Sequence, residues 1–486
     1  MKKRVAGMAV ISALVCGMIA IQAPQLASQQ TGSAAETAAA KLEPDTEKLT
    51  YEIEQPIGTL RMGVKLDLFT PATDYGRIFP YTAKIIGWKQ DGTPVYRYAL
   101  ADEAGELLTE PLYSAAERQP CGETFVWLLT ERMADGSTRS SCAAQDGSWV
   151  LGPFAGSITV EDDCIFVHRS GSTVSTVYRA DGRIFGQVNG TAASCSDGII
   201  VSRADSDSGT MWYISSADTT QQLAALQAVQ VGAFSGGSAT VQLSETTWGF
   251  VDASGKVTKT AASWMDETCG GYALAKDAAG HFGVLRADGE EIAAFTYGKG
   301  VHCGDELPVY QLWQSEQECI VLNAPRGQKL RLPDDLHGQQ LTALPDSYFA
   351  YTNTEGNVVV FDDLEHVELK GEAAIYPQGS THFIAALADG YQIFNKDERK
   401  VGKLHHSLYA VPQQQTADQD DVFTITDPDT GRQGIADVHG HVVIKPLYDS
   451  IVSADGTYFA AMRGGWSGIV DADGTWIVRT ALNGAE

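Results

Sequence analysis

The sequence predicts an all-β protein. It reads as tandem repeats of three- to four-stranded antiparallel meanders stacked as β-propeller-like blades, with an open superhelical β array as the alternative. Three observations carry this. Glycines recur at one spacing: Gly249 and Gly283 are 34 residues apart, as are Gly255 and Gly289, Gly434 and Gly468, and Gly440 and Gly474. Short apolar runs rich in Val, Ile, Tyr and Phe alternate with Gly-containing turns, which is strand and hairpin grammar. Helical periodicity is weak throughout; the best stretch, QQLAALQAVQ at 221–230, is short and sits inside one repeat.

The first segment is not part of that pattern. MKKR is followed by a 17-residue apolar run at 5–21, a charged and then an apolar region of the kind that directs export. Residues 1–27 are expected to be a signal peptide or a retained N-terminal membrane anchor. Cys16 follows Ala-Leu-Val, where a lipoprotein signal needs a small residue immediately before the cysteine. Residues 28–49 are polar and alanine-rich, too poor in large apolar groups to bury a core, and read as a flexible tether.

The repeat domain then runs over 50–480, with a short tail at 481–486. Length alone suggests about three domains, but a repeat period overrides that reading. TWGFVDASGKV at 247–257 matches HFGVLRADGEEI at 281–292, and GRQGIADVHGHVVI at 431–444 matches GGWSGIVDADGTWIV at 464–478. Weaker copies follow the same frame at 98–107, 141–150, 176–185, 212–218, 320–328, 359–367 and 392–401. Together these make about eleven units, spaced by about 37 residues.

Each unit repeats one order of elements. A strand comes first, as in FVWLLT (125–130), IFVHRS (165–170), YALAKD (272–277), YFAYTN (348–353) or YFAAMR (458–463). The anchor strand follows, with Trp248-Gly249 or Trp466 and Gly468. Next comes a pair such as Asp146-Gly147, Asp181-Gly182, Ser254-Gly255, Asp288-Gly289 or Asp473-Gly474, expected to form a two-residue type I′ turn. In the best copies the last strand reads ELLTEPLYSA (106–115) or VVIKPLYDSI (442–451), with Pro111 and Pro446 where no ladder donor is needed.

These units resemble the bacterial WG-repeat family, over roughly residues 97–480 and most closely at 248–297 and 432–478. The resemblance implies a scaffold shared by exported and cell-associated proteins and brings no family-wide catalytic residues. A single meander cannot bury both faces, so neighbouring units must stack, either radially or in an open line. The anchor glycines are expected where neighbouring sheets approach closely or a strand bulges, and the tryptophans as filler between blades.

Seven cysteines lie in the repeat domain. Cys121, Cys164, Cys195, Cys269 and Cys303 each fall 19–23 residues after an anchor, just before the next unit's first strand. Stacking would bring equivalent positions together, so Cys269–Cys303 and Cys164–Cys195 are candidate disulfides in an exported protein, with Cys121–Cys142 inside one hairpin and Cys319 left over. The competing reading is a set of small buried hydrophobes.

The chain carries 35 Lys+Arg against 61 Asp+Glu. Such a surface repels phosphate backbones, so nucleic acid is not an expected partner. No nucleophile elbow, zinc-protease motif, phosphate loop or Cys-x-x-Cys is present. His405-His406 and His439/His441 are the histidine clusters, the latter read as solvated turn residues. The DPDTG of 427–431 opens like a calcium loop, but Val438 stands where the twelfth-position carboxylate is required. Glu103/Glu106 and Asp162/Asp163 are paired carboxylates without further signal. No catalytic residue, metal or cofactor is expected. The expectation is an exported, non-enzymatic binding or interaction platform, extracellular or at the cell envelope. Its partner would be a protein or glycan there, and any membrane contact would run through an uncleaved N-terminal segment. The alternative is an envelope enzyme acting on glycans, with an acidic site in a propeller mouth or groove.

Overall fold

The computed structural model describes residues 70–71, 77–207, 209–304, 307–330, 338–362, 366–378, 381–388, 390–395, 399–404 and 421–482. The expected leader at 1–27, the tether at 28–49 and His405-His406 lie outside the described residues, as do 483–486 of the tail. Around the Trp248-Gly249 anchor the repeat is seen in full. The anchor strand Thr247–Asp252 pairs antiparallel with Ser238–Ser244 on one side and Val257–Lys259 on the other, and Gln230–Val231 completes the sheet. The anchor is thus the third of four strands.

This order recurs along the chain, which is all-β; the described residues contain one single-turn 3-10 helix, Pro345–Ser347. Among the described residues, seven separate sheets hold four strands in chain order and one holds three. Units 1 to 3 merge into one ten-stranded sheet. Units 1 and 2 join where Tyr98 pairs with Tyr113, and units 2 and 3 through one long strand. Trp149–Glu161 is a single strand whose first part pairs with Thr138–Ala144 as the fourth strand of unit 2, and whose second part pairs with Cys164–Arg169 as the first strand of unit 3. Elsewhere the same passage is broken by one residue: Gly298 separates Glu291–Tyr297 from Lys299–His302, and Asp449 separates Val442–Tyr448 from Ser450–Ser453. The stretch at 221–230, the best helical candidate in a sequence read as all-β, contributes the strand Gln222–Gln227, paired with Gly209–Ser216. Packing overrides its helix-forming composition: Ala224 and Leu226 alternate inward against the core between units 4 and 5.

The turn between third and fourth strands is not the expected type I′ hairpin. In unit 5 the Gly255 N–H donates to the Asp252 carbonyl at 2.9 Å, and Asp252 N–H donates to the Lys256 carbonyl at 3.1 Å. Only Gly255 has positive φ, at 82°. This is a type I turn closed by a left-handed glycine, the longer hairpin loop. It explains the aspartate that starts the turn in units 5, 10 and 11: Asp252 Oδ1, for example, accepts the N–H groups of Ser254 and Lys256. Type I′ pairs do occur, between first and second strands, at Asp197-Gly198 (φ 56° and 74°) and Gly270-Gly271 (φ 56° and 83°).

The anchor glycines answer to a close approach inside one sheet, not between sheets. A Cβ on Gly283 would lie 2.7 Å from the Ala293 carbonyl oxygen of the fourth strand, where the register shifts. Gly249, Gly434 and Gly468 meet the fourth-strand backbone of their own units in the same way. Trp248 packs between units 5 and 6 as filler. Trp466 does not; it is half-buried, with the Arg479 guanidinium 4.6 Å above its ring.

Side chains along each central strand alternate between two interfaces. Phe349 and Tyr351 face unit 7 while Tyr348 and Ala350 face unit 9. Because both faces are buried, strands such as VVVF (358–361) read as continuous apolar runs. Eleven such clusters follow one another, one per interface. The last joins Phe79, Tyr81, Ala99 and Ala101 of unit 1 to Ala454 and Ile469 of unit 11. The array therefore closes into a single propeller-like ring, not an open superhelix. No helix among the described residues is long and apolar enough to cross a membrane.

Candidate functional site

Where the ring closes, a cavity of about 820 Å³ opens, lined by residues of units 11, 1, 2 and 3. That volume lies in the range of ligand pockets. It lies on the face that carries the turns between first and second strands and between third and fourth strands. Arg77 immediately precedes the strand Ile78–Trp88 of unit 1. Its Nη1 donates to Asp455 Oδ2 of unit 11 at 2.8 Å, tying the two ends of the array together. Asp455 itself is 5% exposed and uses Oδ1 to accept the N–H groups of Thr457 and Tyr458. Arg118 lies on the strand Tyr113–Cys121, its guanidinium 3.7 Å from the centroid of the Phe125 ring and its Nε 3.4 Å from Gln145 Oε1. A guanidinium held over an aromatic face keeps its plane fixed.

The remaining wall comes from two equivalent turns. Asp146 Oδ1 accepts the Ser148 N–H in unit 2, and Asp181 Oδ1 accepts the Arg183 N–H in unit 3. Arg183 is 81% exposed, with Nε 3.7 Å from Asp181 Oδ2. Beneath them Trp149 is almost fully buried and donates its indole N–H to the Ala180 carbonyl, fixing unit 2 against unit 3. Three arginines of an otherwise acidic chain thus meet around one opening, while each aspartate there already accepts a backbone N–H.

The sequence marked Asp146 and Asp181 as turn residues only and none of the arginines. They fall in different repeats, and only ring closure makes Arg77 and Asp455 neighbours. The signal that was present is positional: Asp146-Gly147-Ser148-Trp149 puts a tryptophan directly after a turn, and one unit on Arg183 holds the place of Ser148.

The residues singled out in the sequence lie elsewhere. His441 occupies a turn, its N–H donating to Asp437 Oδ1 and its ring 3.1 Å from Oδ2, largely exposed; His439 sits 6.3 Å away, ring to ring. Asp427 caps the hairpin tip at 427–431 by accepting the Asp429 and Thr430 N–H groups. Glu103 and Glu106 flank the third-to-fourth-strand turn of unit 1, and Asp162-Asp163 form the first-to-second-strand turn of unit 3.

No disulfide joins the seven described cysteines. Cys121 and Cys142 share the core between units 2 and 3, and Cys164 and Cys195 share the next. Burial pushes the Cys121 thiol up to about 12. The Cys195 thiol is raised first by its hydrogen bond with Cys164 and then by burial. Arg179 donates to Cys164 Sγ at 3.1 Å and to Asp163 Oδ1 at 2.6 Å. Cys269 and Cys303 are not brought together as expected. Equivalent positions face the same way, so Cys269 lies near Tyr310 in the core between units 6 and 7. Cys303 packs with Cys319 in the core between units 7 and 8, where burial also raises it to about 12.

No family model matches the sequence, and neither does any curated protein. Among solved structures, the chain is similar to BamB from Moraxella catarrhalis (14% identity, 57% of this chain and 94% of that one, TM-score 0.26). It is also similar to apo AztD from Citrobacter koseri (11% identity, 61% and 94%, TM-score 0.28).

Proposed function

We propose that the chain is an exported, non-enzymatic WG-repeat protein that serves as a binding platform at the cell surface or in the medium, with a protein or glycan of the envelope as its partner. One observation carries this reading. The cavity at the closure collects guanidinium donors from three units, while each of its carboxylates is engaged as a turn acceptor, Asp455 also accepting from Arg77. A general acid or base needs a carboxyl able to exchange a proton with a bound substrate, and a turn acceptor serves the backbone instead. Around the cavity the ring is a rigid repeat scaffold whose turns can vary while its cores stay fixed. The leader expected at 1–27 and the tether expected at 28–49 support placement outside the cytoplasm.

The test is a saturation pull-down with the full chain as bait on an envelope extract, with a parallel screen for glycan hydrolysis. A partner that saturates at near-equal amounts, with no new reducing ends released, supports the platform. Release of reducing ends that Asp146→Asn or Asp181→Asn abolishes would replace it with the glycan-acting enzyme.

A further inference from the structure

We infer that the segment LRMGVKLDL at 60–68, outside the described residues, docks as an added strand on the open edge of the first unit. In nine of the eleven units the second strand lies between a first and a third. Among the described residues, units 1 and 10 lack the first one. In unit 1 the nearest described residues upstream do not take that place: Thr70–Pro71 pair with Val150 and Trp149 of unit 2. The 11-residue strand Ile78–Trp88 therefore pairs with Pro94–Asp102 on one side and with no described strand on the other. Hydrogen bonds fix which groups face the open side. Leu100 N–H donates to Thr109 Oγ1 and the Leu100 carbonyl accepts from Leu108, both pointing away from Ile78–Trp88. Pro80 and Leu100 thus form a pair without mutual bonds, and Pro80 turns its backbone to the edge, where its missing N–H costs no ladder bond to Pro94–Asp102. Two residues on, Thr82 turns its N–H and carbonyl the same way. Thr82 is only 4% exposed, and a buried backbone edge calls for a partner strand.

The sequence just upstream of Thr70 has the pattern that place requires. Leu60, Met62, Val64, Leu66 and Leu68 alternate without a break with Arg61, Gly63, Lys65 and Asp67, the period of a strand buried on one face. Extended, the segment spans about 30 Å, close to the length of the edge it would cover. Its reach also fits. The Ile78 N–H donates to the Gln145 carbonyl, a few residues before the Trp149–Val150 pair that holds Thr70–Pro71. The chain thus arrives at Thr70 beside the start of Ile78–Trp88, which is where an antiparallel partner must end. A second copy or a foreign peptide would have to compete with a segment held at the high effective concentration of a short linker. The docking has a consequence for the site. Trp88 leads into the turn between second and third strands, so the added strand enters on the face opposite the cavity. Whatever precedes residue 60 then leaves the ring away from the cavity mouth.

The experiment is amide hydrogen exchange of the full chain, read by mass spectrometry of its peptides. Amides of 60–68 are expected to exchange at least about a hundredfold more slowly than those of 28–49. Leu66→Asp sets a carboxylate in the apolar face and is expected to release protection at 60–68 and at 79–88 together, while 282–286 keeps its own. Lys65→Glu, on the polar face, is expected to leave both protected. Where Leu66→Asp does not fold, Leu66→Ala gives the same comparison as a partial loss. Exchange at 60–68 as fast as at 28–49 overturns the inference. So does a Leu66 variant that frees 60–68 and leaves 79–88 protected, or that frees 149–155 instead, which would seat the segment along the Trp149–Glu161 strand. Protection at 79–88 that falls on dilution overturns it as well, in favour of a second copy on the edge.

Discussion

The hydroxyl of Tyr81 lies 3.0 Å from Oγ1 of Thr480, a hydrogen bond between residues 399 positions apart. It belongs to the interface where the first unit meets the last. Removing its apolar neighbour, Ile469→Ala, should cost about 2–5 kcal/mol, as for other fully buried aliphatic side chains. Tyr81→Phe should cost about 1 kcal/mol. Urea unfolding measures both. An Ile469→Ala cost below that of Tyr81→Phe would show that this interface does not hold the ring.

The glycines divide into three kinds with different costs. Gly283→Ala forces a Cβ against the Ala293 carbonyl and should destabilise by about 1–3 kcal/mol. Gly289→Ala places alanine at φ +91°, and should cost about 1 kcal/mol or more through backbone strain alone. Gly371→Ala meets nothing within 4 Å, and should be neutral or slightly stabilising. A melting-temperature series that ranks the three otherwise would contradict the close-approach explanation of the anchor.

The turn aspartates should make the ring acid-sensitive. The carboxyl of Asp252 is held below its ordinary value, first by the Ser254 hydroxyl and then by backbone N–H donors. A depressed folded-state value means stability that is present above the unfolded value near 3.8 and is lost as pH falls through the folded one. Asp277, Asp288 and Asp427 shift the same way. Asp252→Asn keeps the acceptor oxygen but cannot titrate. Its unfolding free energy should therefore fall less steeply than that of the parent between pH 4 and pH 2. Parallel acid limbs for the two proteins would rule this out.

Thiol chemistry should follow the interfaces rather than the repeat. Cys319 is the least buried of the seven and should alkylate first under native conditions, with Cys121, Cys142 and Cys164 protected until unfolding. Diamide, which accepts the two hydrogens of a thiol pair, should link Cys164 to Cys195 before it links Cys269 to Cys303. Peptide mapping of the oxidised protein distinguishes the two, and a Cys269–Cys303 product would contradict the facing described above.

Much of the fold was legible because each repeat writes its own hydrogen bonds. Asp252 and Gly249 sit where they do for reasons confined to one sheet, so the spacing between copies exposes them. The number and direction of the strands followed from the same grammar. What repeats cannot show is the sign of a one-residue offset. Cys195 stands four residues before its second strand and Cys269 three, and that difference turns the two side chains to opposite faces of their sheets. Closure was also hidden, because it depends on the summed curvature of eleven interfaces and on no single motif. The cavity inherits that opacity: Arg77, Arg118 and Arg183 are unremarkable until the ends of the array meet.

The Arg77–Asp455 and Tyr81–Thr480 bonds have a mechanical consequence. Units that share or nearly share strands are stitched in series, yet the two ends of the series lie side by side. A pull between Arg77 and Leu482 would therefore load one interface in shear and leave the other ten slack. Once that joint parts, the circle becomes a chain of sheets that peels from its ends. The joint is thus a mechanical fuse, and a ligand seated across it would raise the force at which it blows.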